Sequence, residues 1–155
     1  MDNNIKPLVL YVDDEDNNLN AFRAGYRRDF EIYTASSALE GLKILEEREI
    51  PVLITDQRMP EVLGTELLAE AVQKFPDQMR ILLTGFSDID ALKDAVNRGQ
   101  IYKYMQKPWN HDELKETIIL AAQIYQLKKE RVEMQEKLLL NNEQLEFILR
   151  QKLLS

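Results

Sequence analysis

The sequence predicts an α/β protein with a doubly wound, five-stranded parallel sheet, followed by a long C-terminal helix. Short aliphatic runs of strand length recur as far as residue 105, and each is followed by a stretch whose apolar residues repeat every three to four positions. From 109 to 155 neither proline nor glycine interrupts the chain. Strict alternation of strand and helix argues for parallel neighbours, because these need helical crossovers, which are right-handed and cover both faces of the sheet.

The strongest strand runs are LVLYV at 8–12, VLIT at 52–55 and ILLT at 81–84, whose continuous apolar character suits strands buried on both faces. Weaker runs, FEIYT at 30–34 and IYKYM at 101–105, complete the five. Helical faces follow in order: Leu19, Phe22 and Tyr26; Ala38, Leu42 and Leu45; Leu67, Leu68, Ala71, Val72 and Phe75; then Ile89, Leu92 and Val96.

A chain of 155 residues with 45% apolar content can bury a real core, and the absence of cysteine excludes disulfides and thiolate metal sites. The opening MDNNIKP is polar, and the next apolar run is too short for a signal peptide or a membrane span. The expectation is a cytoplasmic protein with no membrane association. Residues 1–120 hold 22 acids and 14 bases, whereas 121–155 hold 5 acids and 6 bases, so the globular part repels nucleic acid. The short basic run KKER at 128–131 reads as a solvated helix face.

Ligands of open parallel sheets sit beyond the carboxyl ends of the strands, where strand order reverses. Asp13 and Asp14 follow the first run, Asp56 the third, Thr84 ends the fourth and Lys107 follows the fifth, so all five fall on that edge. Crowded acids need separate solvation or a cation among them. Carboxylates with a hydroxyl and an ammonium suit a hard divalent cation, Mg2+, together with an anion such as a phosphoryl group, on which an aspartate can act as nucleophile.

Bland readings apply to the remaining polar residues. Glu15 and Asp16, with Asn17 and Asn18, sit where a helix begins and are expected to cap it. Asn110 and Glu113 form a second capping pair, His111 between them is expected to be solvated with no phosphotransfer role, and Trp109 is expected to pack.

VDDE at 12–15, ITDQRMP at 54–60, LLTG at 82–85 and KPW at 107–109 resemble, in order and spacing, the receiver domain of bacterial two-component response regulators. The likeness covers roughly residues 6–125 and implies a flavodoxin-like (βα)5 domain, with 126–155 as a helical extension. It implies that Asp56 accepts a phosphoryl group from a sensor histidine kinase or phosphotransfer protein, that Asp13, Asp14, Asp56 and the backbone carbonyl of Arg58 hold Mg2+, and that Lys107 pairs with the phosphate. Thr84 and Tyr104 match the switch pair. RILLTGFSD and GQIYKYMQKPW resemble more narrowly the receivers attached to hydrogenase-type regulators or HD-type phosphodiesterases. Two departures stand out: Leu63 precedes Gly64 where the family commonly has an acid or amide, and Arg58 and Phe86 occupy the positions two beyond Asp56 and Thr84, which tune phosphate loss in the family.

The fifth helix is expected to continue as one rod of roughly 40 residues, about 60 Å at 1.5 Å per residue. A heptad seam runs through Leu120, Ile124, Leu127, Arg131, Met134, Leu138, Asn141, Leu145, Ile148 and Lys152, weakened by Arg131 and Asn141 although a buried Asn can fix a parallel, two-stranded register, and it predicts a coiled-coil homodimer. The competing reading of the tail is a solvated single helix. For function, the expectation is a non-enzymatic signalling switch. Its alternative, a Mg2+-dependent phosphatase with an aspartyl-phosphate intermediate, wants an acid two residues beyond the nucleophile, where Arg58 stands. A DNA-binding output is not expected, because nothing after 125 resembles a helix-turn-helix.

Overall fold

The computed structural model describes residues 5–85, 89–98 and 100–154. The elements run β1 (Leu8–Val12), α1 (Asp16–Tyr26), β2 (Glu31–Ala35), α2 (Ala38–Glu47), β3 (Val52–Asp56), α3 (Gly64–Lys74), β4 (Met79–Thr84), α4 (Ile89–Asn97), β5 (Lys103–Gln106) and α5 (His111–Leu154). All strand pairs are parallel, in the order β2-β1-β3-β4-β5. The order reverses between β1 and β3, so the carboxyl ends of these two strands form the crevice where such sheets bind ligands.

Period-two alternation divides the apolar strand residues between two cores. On one face Val9, Tyr11, Ile54, Ile81, Leu83 and Met105 pack with α1 and α5 through Phe22, Tyr26, Leu114 and Ile118. On the other, Leu10, Val12, Leu53 and Leu82 pack with α2, α3 and α4 through Leu45, Leu67, Leu68 and Leu92. The weak strand runs are the sheet's edges. Every residue of β3 and β4 is buried, whereas β5 buries only Met105 and β2 only Ala35.

Two expectations shift. The fifth strand begins at Lys103 rather than 101, and Ile101 lies in the α2–α4 core just before it. On α4 the buried pair is Leu92 and Ala95, three residues apart, while Val96 is 42% exposed. A helix advances about 100° per residue, which carries Val96 to the solvent margin of that face. The side chain of Ile89, expected on the same face, lies outside the described residues.

Two of the N-caps follow local chemistry. Ser37 accepts from the Glu40 amide at 3.1 Å, and Asn110 Oδ1 accepts from the Glu113 amide at 2.9 Å. Glu15 stands at the N-cap of α1 but makes no side-chain capping bond; Asp16 is the acid of the first turn.

The chain divides into two compact units, Met1–Tyr125 and Gln126–Ser155. In the second, Leu127, Met134, Leu138, Leu145 and Ile148 of the heptad seam are 52–65% exposed. Leu139, Leu140, Phe147, Leu149, Leu153 and Leu154, off the seam, are exposed as well. Ile124 packs against the α1–α5 core, so the solvent-facing part of the seam between 124 and 148 starts at Leu127. No helix of the described residues is long and apolar enough to cross a membrane.

Phe22 is fully buried, with its ring 4.8 Å from Tyr11 and 4.9 Å from Tyr26. Phe22→Ala is expected to lower unfolding stability by about 3–5 kcal/mol through lost transfer energy and a residual cavity. Urea unfolding checks this, and a loss below about 1 kcal/mol would show that the aromatic layer collapses to fill the space.

Candidate functional site

The carboxyl ends of β1, β3 and β5 bring Asp13, Asp56 and Lys107 together. Each strand hands its chain over while still tied to a neighbour: the Asp13 amide donates to Ala35 O (3.0 Å), Gln57 to Leu83 O (3.1 Å) and Lys107 to Thr84 O (2.9 Å). The Lys107 ammonium bridges the acids, with Nζ 2.9 Å from Asp13 Oδ2 and 3.0 Å from Asp56 Oδ1. Asp14 is exposed beside them, and one carboxylate oxygen from each of Asp13, Asp14 and Asp56 lies within 4.8 Å of the others.

Asp13 is the most enclosed of the three, fully buried and accepting four hydrogen bonds. Oδ1 takes the Glu15 amide at 3.0 Å. Oδ2 takes the Tyr11 hydroxyl at 2.6 Å, Asn18 Nδ2 at 3.1 Å and Lys107 Nζ at 2.9 Å. An ionised carboxylate has about four acceptor positions, two on each oxygen, so Oδ2 is crowded by its three donors while Oδ1 keeps one position open. Burial pushes its pKa up, but the hydrogen bonds from Tyr11, the Glu15 amide and Lys107 outweigh burial and hold it below the ordinary value.

Asp56 goes the other way. Burial pushes its carboxyl up, Lys107 draws it down and the negative charge of Asp13 raises it again, leaving it above the ordinary range. Its Oδ1 also accepts from the Gln57 amide at 2.9 Å. For Lys107, burial lowers the pKa, but hydrogen bonds and charge from Asp13 and Asp56 raise it overall, so the ammonium is firmly protonated at neutral pH.

The loop after Asp56 is tightly held. A Cβ on Gly64 would stand 2.2 Å from Asp56 O, so only glycine fits there. Gln57, buried, accepts from the Thr65 amide at 2.9 Å through Oε1 and thereby fastens the first turn of α3 to the strand end. Between them Glu61 has φ 71°, and the Val62 amide reaches Pro60 O at 2.8 Å, a γ-turn rarely adopted by a residue with a side chain. Leu63 is 43% exposed at the N-cap of α3, where its amide donates to Glu66 Oε1 at 2.9 Å.

Other expected residues lie outside the ionic cluster. The Arg58 side chain is exposed. Thr84 is buried and its hydroxyl donates to Gly85 O at 3.2 Å. Tyr104, on the same sheet face of the neighbouring strand by alternation, is 50% exposed. Phe86 lies outside the described residues. Trp109 packs edge-on against Tyr11, centroids 5.9 Å apart, and against Phe22 at 6.1 Å.

His111, expected to be solvated, is corrected in part. It is exposed, but its ring stacks on Tyr26 at 4.5 Å with an interplanar angle of 1°, and its carbonyl accepts the Tyr26 hydroxyl at 2.8 Å. Burial, followed by the charges of Asp112 and Asp29, pushes the Tyr26 phenol up to about 12.

Sequence reasoning gave Tyr11, Asn18 and Gln57 no role at the site. Tyr11 had a usable signal, since a residue two before Asp13 on a strand points to the same side. Asn18 and Gln57 act through side-chain reach across a turn, which no spacing rule announces.

The sequence profile of the response regulator receiver domain matches residues 9–119, and the chain belongs to this family. It is 36% identical over 126 residues to the hydrogenase transcriptional regulatory protein HoxA of Bradyrhizobium diazoefficiens, a match covering 81% of this chain and 26% of that protein. Among solved structures it is similar to the adenylate cyclase from Rhodopirellula baltica (TM-score 0.82, 30% identity, 86% of this chain and 99% of that one). A further likeness is to the signal receiver domain of an HD domain-containing protein from Pseudomonas fluorescens Pf-5 (TM-score 0.77, 31% identity, 81% and 93% covered). The chain spans about a quarter of the length of the curated relatives it matches first. The fold is the flavodoxin-like receiver fold of such neighbours, with a long C-terminal helix.

The opposite pKa directions give opposite stability signs in metal-free buffer. Asp56, raised, costs stability when ionised, so Asp56→Asn is expected to raise the urea midpoint at pH 7, by an amount that shrinks as pH falls through the folded-state pKa and vanishes below the unfolded value of ~3.9. Asp13, lowered, contributes stability that is present above ~3.9 and lost as pH falls through its lower folded-state pKa, so Asp13→Asn is expected to lower the midpoint at pH 7. Shifts of the same sign in the two variants would refute the assignment.

Proposed function

We propose that the chain is a phosphorylation-dependent signalling switch in which Asp56 takes a phosphoryl group from a sensor histidine kinase or phosphotransfer protein. The observation that carries this reading is the Lys107 ammonium held within 3.0 Å of both Asp13 and Asp56, at the reversal point of a receiver-family sheet. A buried carboxylate with a cation at its shoulder and no acid two residues on can receive a group but lacks a built-in proton donor to hydrolyse it. Arg58, where a phosphatase would want that acid, disfavours the hydrolase alternative.

The donor set suits Mg2+: hard oxygen ligands from Asp13, Asp14 and Asp56 and the Arg58 carbonyl. Bound there, the ion would supply electrostatic stabilisation of charge on the transferred group. The chain's own part is positional. Gln57 and the loop held at Gly64 fix Asp56, and Lys107 shifts from carboxylate to phosphoryl oxygen. The new charge, about −1.5 to −2, draws the Thr84 hydroxyl inward and opens room for Tyr104 to leave solvent. A cytoplasmic location, no direct nucleic-acid contact and homodimerisation through the C-terminal extension at 126–155 complete the reading. The near-neutral charge of that stretch supports the second of these and its exposed seam the third, and a partner or further domain reads the state.

Intact-mass measurement after incubation with acetyl phosphate and Mg2+ is expected to show one phosphoryl adduct, absent from Asp56→Ala and from metal-chelated samples. Thr84→Ala should still take the adduct but lose most of the change in β5 amide exchange that accompanies it. An adduct that survives Asp56→Ala ends the proposal.

For the extension, light scattering at micromolar concentration is expected to give a dimer for the whole chain and a monomer for a chain stopped at Tyr125. A monomeric whole chain, with or without phosphoryl group, sinks the coiled coil.

A further inference from the structure

Tyr11 has no part in the switch described above, yet its hydroxyl makes the shortest of the four bonds to Asp13, 2.6 Å to Oδ2, from a fully buried position. The same oxygen carries Lys107 at 2.9 Å and Asn18 at 3.1 Å. Lys107 therefore shares its acceptor with two neutral donors that stay in place if the ammonium leaves. The Tyr11 ring is held by Phe22 at 4.8 Å and Trp109 at 5.9 Å, so the hydroxyl is aimed by packing rather than free to turn away. We infer that Tyr11, assisted by Asn18, is a positioning residue for phosphoryl transfer: it keeps Asp13 Oδ2 satisfied and so releases Lys107 from Asp13 toward the group arriving on Asp56.

The inference rests on the proposed role of Asp56. In the transfer, one Asp56 carboxylate oxygen bonds to phosphorus while the bond from phosphorus to the carboxylate oxygen of acetyl phosphate breaks. The electron pair of that bond leaves with acetate, and no proton moves. Charge on the phosphoryl oxygens in the transition state is met by Lys107, provided that Asp13 does not hold it back. A buried carboxylate stripped of a donor costs more than one that keeps its partners, so removing the hydroxyl makes departure of Lys107 more expensive. Tyr11→Phe keeps the ring and deletes only the oxygen.

The test is the rate of adduct formation with acetyl phosphate, followed by intact mass over hours in saturating Mg2+, for wild type, Tyr11→Phe, Lys107→Ala and the double variant. The same cycle is run on metal-free urea unfolding. Tyr11→Phe is expected to slow the adduct roughly 5- to 10-fold when Lys107 is present and less than about 2-fold in Lys107→Ala, with the unfolding cycle likewise non-additive. Asn18→Ala, at a partly exposed site on α1, is expected to slow the reaction in the same Lys107-dependent way and stands in if the phenylalanine variant fails to fold. A wild-type rate in Tyr11→Phe, or the same fold-loss with and without Lys107, overturns the inference. Failure of the wild type to form any adduct overturns instead the phosphoacceptor reading beneath it.

Discussion

Lys107 carries much of the electrostatic balance of this molecule. The sheet order places the carboxyl ends of β1 and β3 side by side, which sets Asp13 against Asp56 in a largely dehydrated crevice. Two anions there repel, and the ammonium 2.9 Å from one and 3.0 Å from the other offsets that repulsion. Lys107 comes from the far edge strand, with β3 and β4 between β5 and β1. A long flexible stem with a point charge at its end can cross that span and move between two acceptors, whereas a planar guanidinium would favour one fixed geometry.

The two acids are not equivalent, and the difference lies in their donors. Asp13 accepts from Tyr11, Asn18, the Glu15 amide and Lys107, and its pKa falls despite full burial. For Asp56, burial and the charge of Asp13 prevail over Lys107 and the Gln57 amide, and its pKa rises. The less stabilised carboxylate is the one with more to gain from a new cation or a covalent partner. A single ion pair thus connects the electrostatics of the fold to the chemistry proposed for it.

Behind the ionic cluster lies an aromatic layer. Tyr11 touches Phe22 and Trp109, Phe22 touches Tyr26, and Tyr26 stacks on His111 at the start of α5. This layer links the site to α1 and α5 through rings with defined separations. The opposite face differs. There Tyr104 is half exposed and α4 presents Val96 to solvent, so that side of the sheet has room to rearrange.

The order of elements, the placing of Asp13, Asp14, Asp56, Thr84 and Lys107 behind their strands, and the length of the last helix were all legible in the chain, because they depend on local periodicity and sequence position. The edge strands were legible only as weak runs, since β2 and β5 have one neighbour and need fewer apolar residues. What tertiary structure alone decided were interactions between residues distant in sequence or offset by a turn. The Lys107–Asp13 bond spans 94 positions, and the Tyr26–His111 stack joins the apolar face of α1 to a residue expected to be solvated. The opposite pKa directions of Asp13 and Asp56 arise in the same way. Both are aspartates after apolar strands, and only the donors assembled around each by the fold tell them apart.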